Sequence, residues 1–157
     1  KSSEALPSNE KILIEMGQHL ITKIRAEQPN LPLVLYGRSI GSGIAGGLAR
    51  IEKIEAVVLE TPYTSLVDMT QEIFPWVPSM LMRFDLYNMR LSELKIPVKT
   101  LILHGTSDEV IPYRLGERLA QKLNCQFVTI AGGHHNDLSD FPGYWPEVLK
   151  FLNTIPN

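Results

Sequence analysis

Ser39 lies in the segment Gly37-Arg38-Ser39-Ile40-Gly41, whose residue types and spacing are those of a serine presented as a nucleophile. A serine hydroxyl is a poor nucleophile until a tight turn lifts it clear of a sheet and a base takes its proton. The flanking glycines would remove side chains that collide across such a turn. The backbone N–H of Ile40 would then point at the oxyanion of an acyl-transfer intermediate. The alternative is a glycine-rich turn whose serine is incidental.

Candidate acids and bases for this serine lie at three later places in the chain. Asp108 follows one apolar run, Glu60 ends another and is the rival acid, and His134 and His135 come after a pair of glycines. An imidazole can take the serine proton while a carboxylate fixes its tautomer. Alone, a loop aspartate is more often a turn cap, and a loop histidine a surface residue. Their chain order, serine then acid then histidine with each at a strand end, favours a catalytic set.

The elements that would position these groups alternate between buried runs and helical patterns. Apolar runs without polar alternation, typical of strands buried on both faces, lie at 31–36, 56–59, 98–103 and 127–130. Helical patterns run from a cap at Ser8 or Asn9 to just before Pro29, over about 43–50, over 113–123 and over about 146–152. This alternation predicts the α/β class, a mostly parallel sheet flanked by helices. The candidate groups would then share the carboxyl-end edge of the sheet.

The segment 61–94 does not fit this alternation, because three prolines interrupt its apolar and aromatic residues. It is too long for a simple crossover, so we expect broken helices that cover the catalytic edge of the sheet. Trp76, Met80 and Phe84 would then form the wall of an apolar pocket for an acyl substrate. The alternative is that these side chains only pack against the sheet.

The composition disfavours several other classes of protein. The 157 residues have a net charge of −2 and no clustered basic face, so nucleic acid is not an expected partner. No apolar run reaches the length of a membrane span. Cys125 is the single cysteine, so neither an internal disulfide nor a zinc site is predicted, and no cofactor is implied. A free cysteine fits a reducing compartment, which favours the cytoplasm. Membrane association is left open, because a segment upstream of Lys1 could carry an anchor.

Taken together, these motifs resemble the α/β-hydrolases of the serine aminopeptidase-like branch, which includes membrane-tethered depalmitoylating hydrolases and uncharacterised bacterial hydrolases. The matching segments are 35–41, 59–65, 103–112 and 133–137. In such relatives the histidine is followed by Asn-Asp, so the resemblance selects His135 over His134, and it selects Asp108 over Glu60. It implies a serine hydrolase that cleaves an ester, thioester or amide bond of a small-molecule or acyl substrate, without a metal or cofactor.

The resemblance also implies that residues 1–157 form a single partial domain, the C-terminal half of such a hydrolase. Family members have further strands before the serine turn and a His-Gly loop with a second oxyanion N–H, and this chain contains neither. We therefore expect a missing N-terminal segment or a complementing chain as partner, an exposed strand edge at 33–36, and slow or no turnover by this piece alone. The competing hypothesis is a non-catalytic interaction module that keeps the scaffold. A haloperoxidase- or transferase-like activity is a third.

Overall fold

A sheet of four parallel strands lies at the centre of the computed structural model, which describes residues 9–76 and 95–156. The strands follow one another in space as they do in sequence: β1 (Val34–Arg38), β2 (Ala56–Glu60), β3 (Lys99–Gly105) and β4 (Gln126–Ile130). Every neighbouring pair is parallel, so the four carboxyl ends meet at one edge of the sheet. This confirms the predicted α/β class and the mostly parallel sheet.

Helices cover both faces of this sheet. They are α1 (Asn9–Glu27), α2 (Ile40–Ile51), α3 (Leu66–Ile73), α4 (Tyr113–Leu123) and α5 (Tyr144–Leu152), with a single 3-10 turn at Leu138–Asp140 among the described residues. On one face Ala49 of α2 and Leu119 of α4 belong to a buried core that includes Val57 of β2. On the other face Phe151 of α5 belongs to a second core with Val58. Alternate residues of β2 therefore fill opposite cores, which leaves this strand buried throughout.

The first helix, α1, packs against α2 at a glycine. A Cβ on Gly17 would lie 2.5 Å from the Cδ1 atom of Leu48, so the two helices approach more closely there than a side chain would allow. Gly17 weakens the helix locally but permits this contact. Within the described parts of the chain, no helix combines the length and the apolar character needed to cross a membrane.

The edge strand β1 differs from its prediction in position and in burial. The apolar run predicts a strand over 31–36, but the strand begins at Val34 and continues to Arg38. Pro32 has no N–H to donate to a neighbouring strand, so pairing with β2 begins after it, at Val34. Burial on both faces is also wrong for this strand, because Tyr36 is 50% exposed and β1 pairs only with β2 among the described strands. The opposite edge strand, β4, is likewise only partly buried.

The segment 61–94 contains one described helix, α3. The Ser65 side chain caps it by accepting a hydrogen bond from the backbone N–H of Asp68 at 2.9 Å. Residues 77–94 lie outside the described residues, so the rest of the predicted cover stays a prediction. Of the other helices, α4 has the predicted bounds, whereas α2 and α5 each begin a few residues earlier than their patterns indicate.

The turn between β1 and α2 has a strained backbone. Ser39 has a φ of 51°, in the left-handed region that a residue with a Cβ rarely adopts. Gly37 leaves room for the turn, because a Cβ there would lie 2.6 Å from the Cβ of Ala45 and 2.6 Å from the carbonyl oxygen of Gly41. The expectation that Gly41 also avoids a collision is wrong for the described atoms, since a Cβ there would meet none of them within 4 Å. Of the two flanking glycines, only Gly37 is required for this reason.

We predict that Gly37→Ala destabilises the fold, because the added methyl group meets both backbone and side-chain atoms. Overpacking of this kind costs about 1–3 kcal/mol. Gly41→Ala is the matched control: no described atom opposes its methyl group, and alanine is favoured over glycine in a helix by about 1 kcal/mol. Urea denaturation should show a lower free energy of unfolding for the first variant and an equal or higher one for the second. Equal losses in both would contradict this account of the turn.

Candidate active site

Ser39 occupies the turn between the end of β1 and the first residue of α2. Its backbone N–H donates to the carbonyl oxygen of Glu60 at 2.9 Å, which ties the turn to the end of the neighbouring strand. Its carbonyl oxygen accepts a hydrogen bond from the hydroxyl of Ser42 at 2.6 Å. With the backbone held in this way, the Ser39 Oγ lies 3.0 Å from the Nε2 atom of His135. The candidate nucleophile therefore has an imidazole within hydrogen-bond distance.

His135 lies in the loop after β4 and is 7% exposed. Its Nδ1 atom lies 2.9 Å from Oδ2 and 3.1 Å from Oδ1 of Asp108. An ionised carboxylate can only accept, so Nδ1 carries a proton and donates it to Asp108. In the neutral ring, Nε2 is then free to accept the hydroxyl proton of Ser39. This is the polarity that proton transfer from a serine to a histidine requires.

The loops that carry Asp108 and His135 contact each other through their backbones. A Cβ on Gly105 would lie 2.1 Å from the carbonyl oxygen of Gly133, so glycine at position 105 is needed for the approach. The backbone N–H of Ser107 donates to that same oxygen at 3.0 Å. This contact fixes the separation between the loop after β3, which carries Asp108 and is called the acid loop, and the loop after β4, which carries His135 and is called the histidine loop.

The Asp108 carboxylate is surrounded by hydrogen-bond donors. Its side chain is inaccessible to solvent, and Oδ1 accepts from the backbone N–H groups of Val110 at 2.9 Å and Ile111 at 2.8 Å. Burial opposes ionisation, but hydrogen bonds from His104, Ile111, His135 and Val110 outweigh it and lower the pKa of Asp108 to about 2. The carboxylate is therefore ionised at neutral pH.

His104, in β3, is a partner of Asp108 that the sequence motifs do not identify. It is fully buried, its Nε2–H donates to the carbonyl oxygen of Ile111 at 2.9 Å, and Nε2 lies 3.3 Å from Oδ2 of Asp108. Gly116 of α4 makes room for the ring, because a Cβ there would lie 2.2 Å from its Nδ1 atom. A histidine directly after an apolar run has no periodic signal, so the sequence alone could not reveal this contact.

Glu60, the rival acid, is bound to other residues. One carboxylate oxygen accepts a hydrogen bond from the hydroxyl of Tyr144, and the other lies 3.3 Å from the Nε atom of Arg38. Burial raises the pKa of Glu60 above its ordinary value, whereas the pKa of Asp108 is lowered. The structure thus places Asp108 against the imidazole of His135 and places Glu60 beside Arg38.

The neighbouring histidine, His134, has a different environment. It is exposed, and its Nδ1 atom lies 3.2 Å from Oε2 of Glu109. The structure therefore brings together Ser39, Asp108 and His135, the three residues that the resemblance selects, by the hydrogen bonds given above. Their catalytic roles remain predictions.

The remaining predicted site residues are Ile40 and three residues of the segment 61–94. Ile40 is the first residue of α2, where an oxyanion donor would have to lie, and its side chain is half exposed. Trp76 is 73% exposed and makes an edge-to-face contact with Phe74, with 5.6 Å between ring centroids. Met80 and Phe84 lie outside the described residues. The oxyanion role and the acyl pocket both stay predictions.

Metal-ligating side chains and the single cysteine are the other groups that could do chemistry. Across 9–76 and 95–156, no group of three or more His, Cys, Asp or Glu side chains could hold a metal ion. Cys125 is partly buried, and burial raises the pKa of its thiol to about 11, so the thiol is neutral and weakly nucleophilic at neutral pH. Ser39 is therefore the better candidate nucleophile.

Comparison with known proteins identifies a family and several relatives. The model of the Uncharacterised protein family (UPF0227) matches residues 2–153. The chain is 34% identical over 109 residues to the uncharacterised protein Rv2307c of Mycobacterium tuberculosis, covering 67% of this chain and 38% of that protein. It is 32% identical over 127 residues to alpha/beta hydrolase domain-containing protein 17B of Homo sapiens, covering 77% and 41%. With WAV2 of Arabidopsis thaliana, an alpha/beta hydrolase domain-containing protein, it shares 27% identity over 177 residues, covering 96% and 56%.

Solved structures show the same fold. The putative non-heme bromoperoxidase BpoC of Mycobacterium tuberculosis superposes with a TM-score of 0.71 at 17% identity, covering 99% of this chain and 78% of that one. Acyl-protein thioesterase 2 of Zea mays gives 0.62 at 18%, covering 98% and 69%. A putative alpha/beta hydrolase of Agrobacterium tumefaciens gives 0.66 at 18%, covering 100% and 69%. At these identities the likeness shows the fold alone, that of the α/β-hydrolases. The predicted superfamily is confirmed by this fold together with the family match and the relatives named alpha/beta hydrolase domain-containing proteins.

We predict that His104→Leu raises the pKa of Asp108 above about 2, because one of the donors that favour the carboxylate form is lost. His104→Gln is the matched variant: its side-chain amide can place an N–H near the position of Nε2 and should retain more of the lowered pKa. Carbon NMR titration of the Asp108 carboxyl group measures both values. An unchanged pKa in the leucine variant would show that His104 has no electrostatic effect on the acid.

Proposed function

Since the chain belongs to the uncharacterised protein family UPF0227 and has the α/β-hydrolase fold, we propose that the whole protein is a serine hydrolase. It would cleave an ester, thioester or amide bond through an acyl-enzyme on Ser39. The observation that carries the proposal is the hydrogen-bonded series from Ser39 Oγ to His135 Nε2, at 3.0 Å, and from His135 Nδ1 to Asp108, at 2.9 Å. Fold alone would not support it, because one fold serves many activities.

The proposed reaction uses each member of this series in turn. His135 takes the hydroxyl proton as the Oγ atom of Ser39 attacks the carbonyl carbon of the substrate. The Ile40 N–H, at the positive end of α2, would stabilise the resulting oxyanion. The imidazolium then gives its proton to the leaving alcohol, thiol or amine, and an acyl-enzyme remains. In the second half, His135 takes a proton from water as the water oxygen attacks the acyl carbon, the bond from that carbon to the Oγ atom of Ser39 breaks, and the proton passes to Oγ while the acid product leaves. Asp108, whose pKa is lowered to about 2, stays ionised.

An acyl substrate is the substrate class that we propose. Its support is the aromatic and apolar character of the segment 61–94, where Trp76, Met80 and Phe84 would form the wall of the acyl pocket. The exposure of Trp76 leaves its ring available for such a contact. A similar fold occurs in a protein named acyl-protein thioesterase 2, which fits a thioester among the candidate bonds.

We propose that the activity belongs to a longer polypeptide. The chain spans 38% to 56% of the length of the curated relatives described above. Within the described residues β1 pairs on one side only, with β2, which leaves backbone N–H and C=O groups of its other edge open to a further strand. We propose that an N-terminal segment or a complementing chain occupies this edge and supplies the second oxyanion donor. The free Cys125 supports a reducing compartment such as the cytoplasm.

A fluorophosphonate probe tests the proposed nucleophile. We expect the full-length protein to be labelled and Ser39→Ala to lose the label, because the probe reacts with activated serines. Ser139→Ala, a change at an exposed serine outside the hydrogen-bonded series, is the control and should label like the wild type. The 157-residue chain alone should label more slowly, since one missing oxyanion donor costs about 100- to 1000-fold in rate.

Two results would overturn the proposed function. Labelling that persists in Ser39→Ala would place the reactive group elsewhere. A folded full-length protein that is not labelled at all would favour the non-catalytic interaction module.

The acyl pocket has a separate test. If Trp76 forms part of its wall, Trp76→Ala should shift the preferred chain length among p-nitrophenyl esters, because removing the indole changes the apolar surface offered to the acyl chain. Phe74→Ala, which removes the ring in contact with Trp76, is the companion variant and should have a smaller effect. An identical chain-length profile in wild type and Trp76→Ala would rule out the role for this residue.

A further inference from the structure

The Arg38 side chain joins three parts of the molecule that meet beside the proposed nucleophile. It extends from the last residue of β1, directly before Ser39. Its Nε atom lies 3.3 Å from Oε1 of Glu60, at the end of β2. Its Nη2 group donates to the carbonyl oxygen of His135 at 2.9 Å and also to Oδ1 of Asn136. One guanidinium therefore connects the nucleophile turn, the neighbouring strand and the histidine loop.

The Glu60 end of this connection is firmly held. Glu60 is 5% exposed and faces Arg38 across the β1–β2 register. A buried carboxylate requires hydrogen-bond donors, and here the hydroxyl of Tyr144, a buried residue of α5, supplies one. The backbone carbonyl of Glu60 accepts the N–H of Ser39 at 2.9 Å. The residue that anchors Arg38 is thus also bonded to the nucleophile turn.

The loop after β4, which carries His135, is bonded to the loop after β3 on one side. The backbone N–H of Gly132 donates to the hydroxyl of Thr106 at 2.8 Å, and the Gly133 carbonyl accepts the N–H of Ser107 at 3.0 Å. The backbone N–H of His135 itself has only a long contact, 3.5 Å to Oε2 of Glu109. The His135 ring must nevertheless remain 3.0 Å from the Oγ atom of Ser39. The hydrogen bond from Arg38 to the His135 carbonyl fixes the backbone of that histidine, and it comes from the residue directly before Ser39.

We infer that Arg38 is a positioning residue: anchored by Glu60, it holds the backbone of His135 so that the imidazole stays aligned with Ser39. This role adds a residue to the proposed serine-hydrolase site, and the expected effect on the labelling rate of Ser39 rests on that proposed function. Arginine suits this task because its planar fork donates in several fixed directions at once. A lysine would supply the charge but one point of contact, so it should replace Arg38 incompletely.

Chemical rescue provides the sharpest test. In the described residues the Arg38 side chain is 42% exposed and lines a cavity of about 570 Å³ with Glu60 and Tyr144, so a small cation can reach the space that Arg38→Ala leaves in the 157-residue chain. Because the segment proposed to pair with β1 would narrow this opening, the rescue is measured in the 157-residue chain as well as in the full-length protein. We expect Arg38→Ala to lower the fluorophosphonate labelling rate of Ser39 by about 10- to 100-fold, the scale of a misplacement of about 1 Å. Low millimolar methylguanidinium should restore part of the rate. Sodium chloride at equal ionic strength is the control, and Arg38→Lys should fall between wild type and Arg38→Ala.

A second readout does not depend on activity. Amide hydrogen exchange over 134–137 should be faster in Arg38→Ala than in the wild type and should slow again when methylguanidinium is added. If Arg38→Ala does not fold, Arg38→Gln serves in its place, since glutamine retains a donor on a shorter side chain. Partial slowing of the label with rescue by methylguanidinium but not by sodium chloride would support the inference.

Failure of the inference and failure of the proposed function can be told apart. If wild type is labelled at Ser39 and the Arg38 variants label at the same rate, the hydrolase stands and the positioning role is overturned. If wild type is not labelled, the proposed function fails, and the exchange data alone decide. Unchanged exchange over 134–137 would then overturn the role of Arg38, whereas faster exchange reversed by methylguanidinium would support its hold on the loop.

Discussion

The hydrogen bond between Nδ1 of His135 and the carboxylate of Asp108 is the interaction on which the rest of the site depends. It determines which ring nitrogen carries the proton, so that Nε2 can accept from Ser39. It forms because the loops after β3 and β4 touch through Gly105 and Gly133. It persists because surrounding donors keep Asp108 ionised in spite of its burial. Parallel pairing of β3 with β4 brings these two loops side by side, so the sheet topology is a condition for the proposed chemistry.

Two strand-end carboxylates show how local contacts separate residues of the same type. Glu60 and Asp108 both lie at the carboxyl edge of the sheet, and both are largely buried. Asp108 receives two backbone N–H groups and the imidazoles of His104 and His135, which favour its charged form. For Glu60 burial is the larger effect, and its partners are Tyr144 and Arg38. The first is thereby suited to orient a histidine, and the second to anchor an arginine.

Much of this arrangement can be predicted from the sequence. The features that cannot be predicted depend on contacts between residues far apart in the sequence. The bounds of α4 agree with its leucine spacing, and β2 is found because a buried parallel strand is a continuous apolar run. The start of β1 is predicted too early because the apolar run includes Pro32, which has no N–H for pairing with another strand. No sequence pattern predicts the contacts of Arg38 and His104. Arg38 meets a carbonyl 97 positions away, and only the strand register and loop packing determine that meeting.

The left-handed backbone of Ser39 has a consequence for how this chain can change. A glycine would relax there, so Ser39→Gly removes the hydroxyl and also relieves conformational strain. An ancestor or relative that no longer needed the nucleophile would gain stability by losing it. Position 39 is thus one at which the residue suited to the proposed chemistry differs from the residue that stability alone would favour.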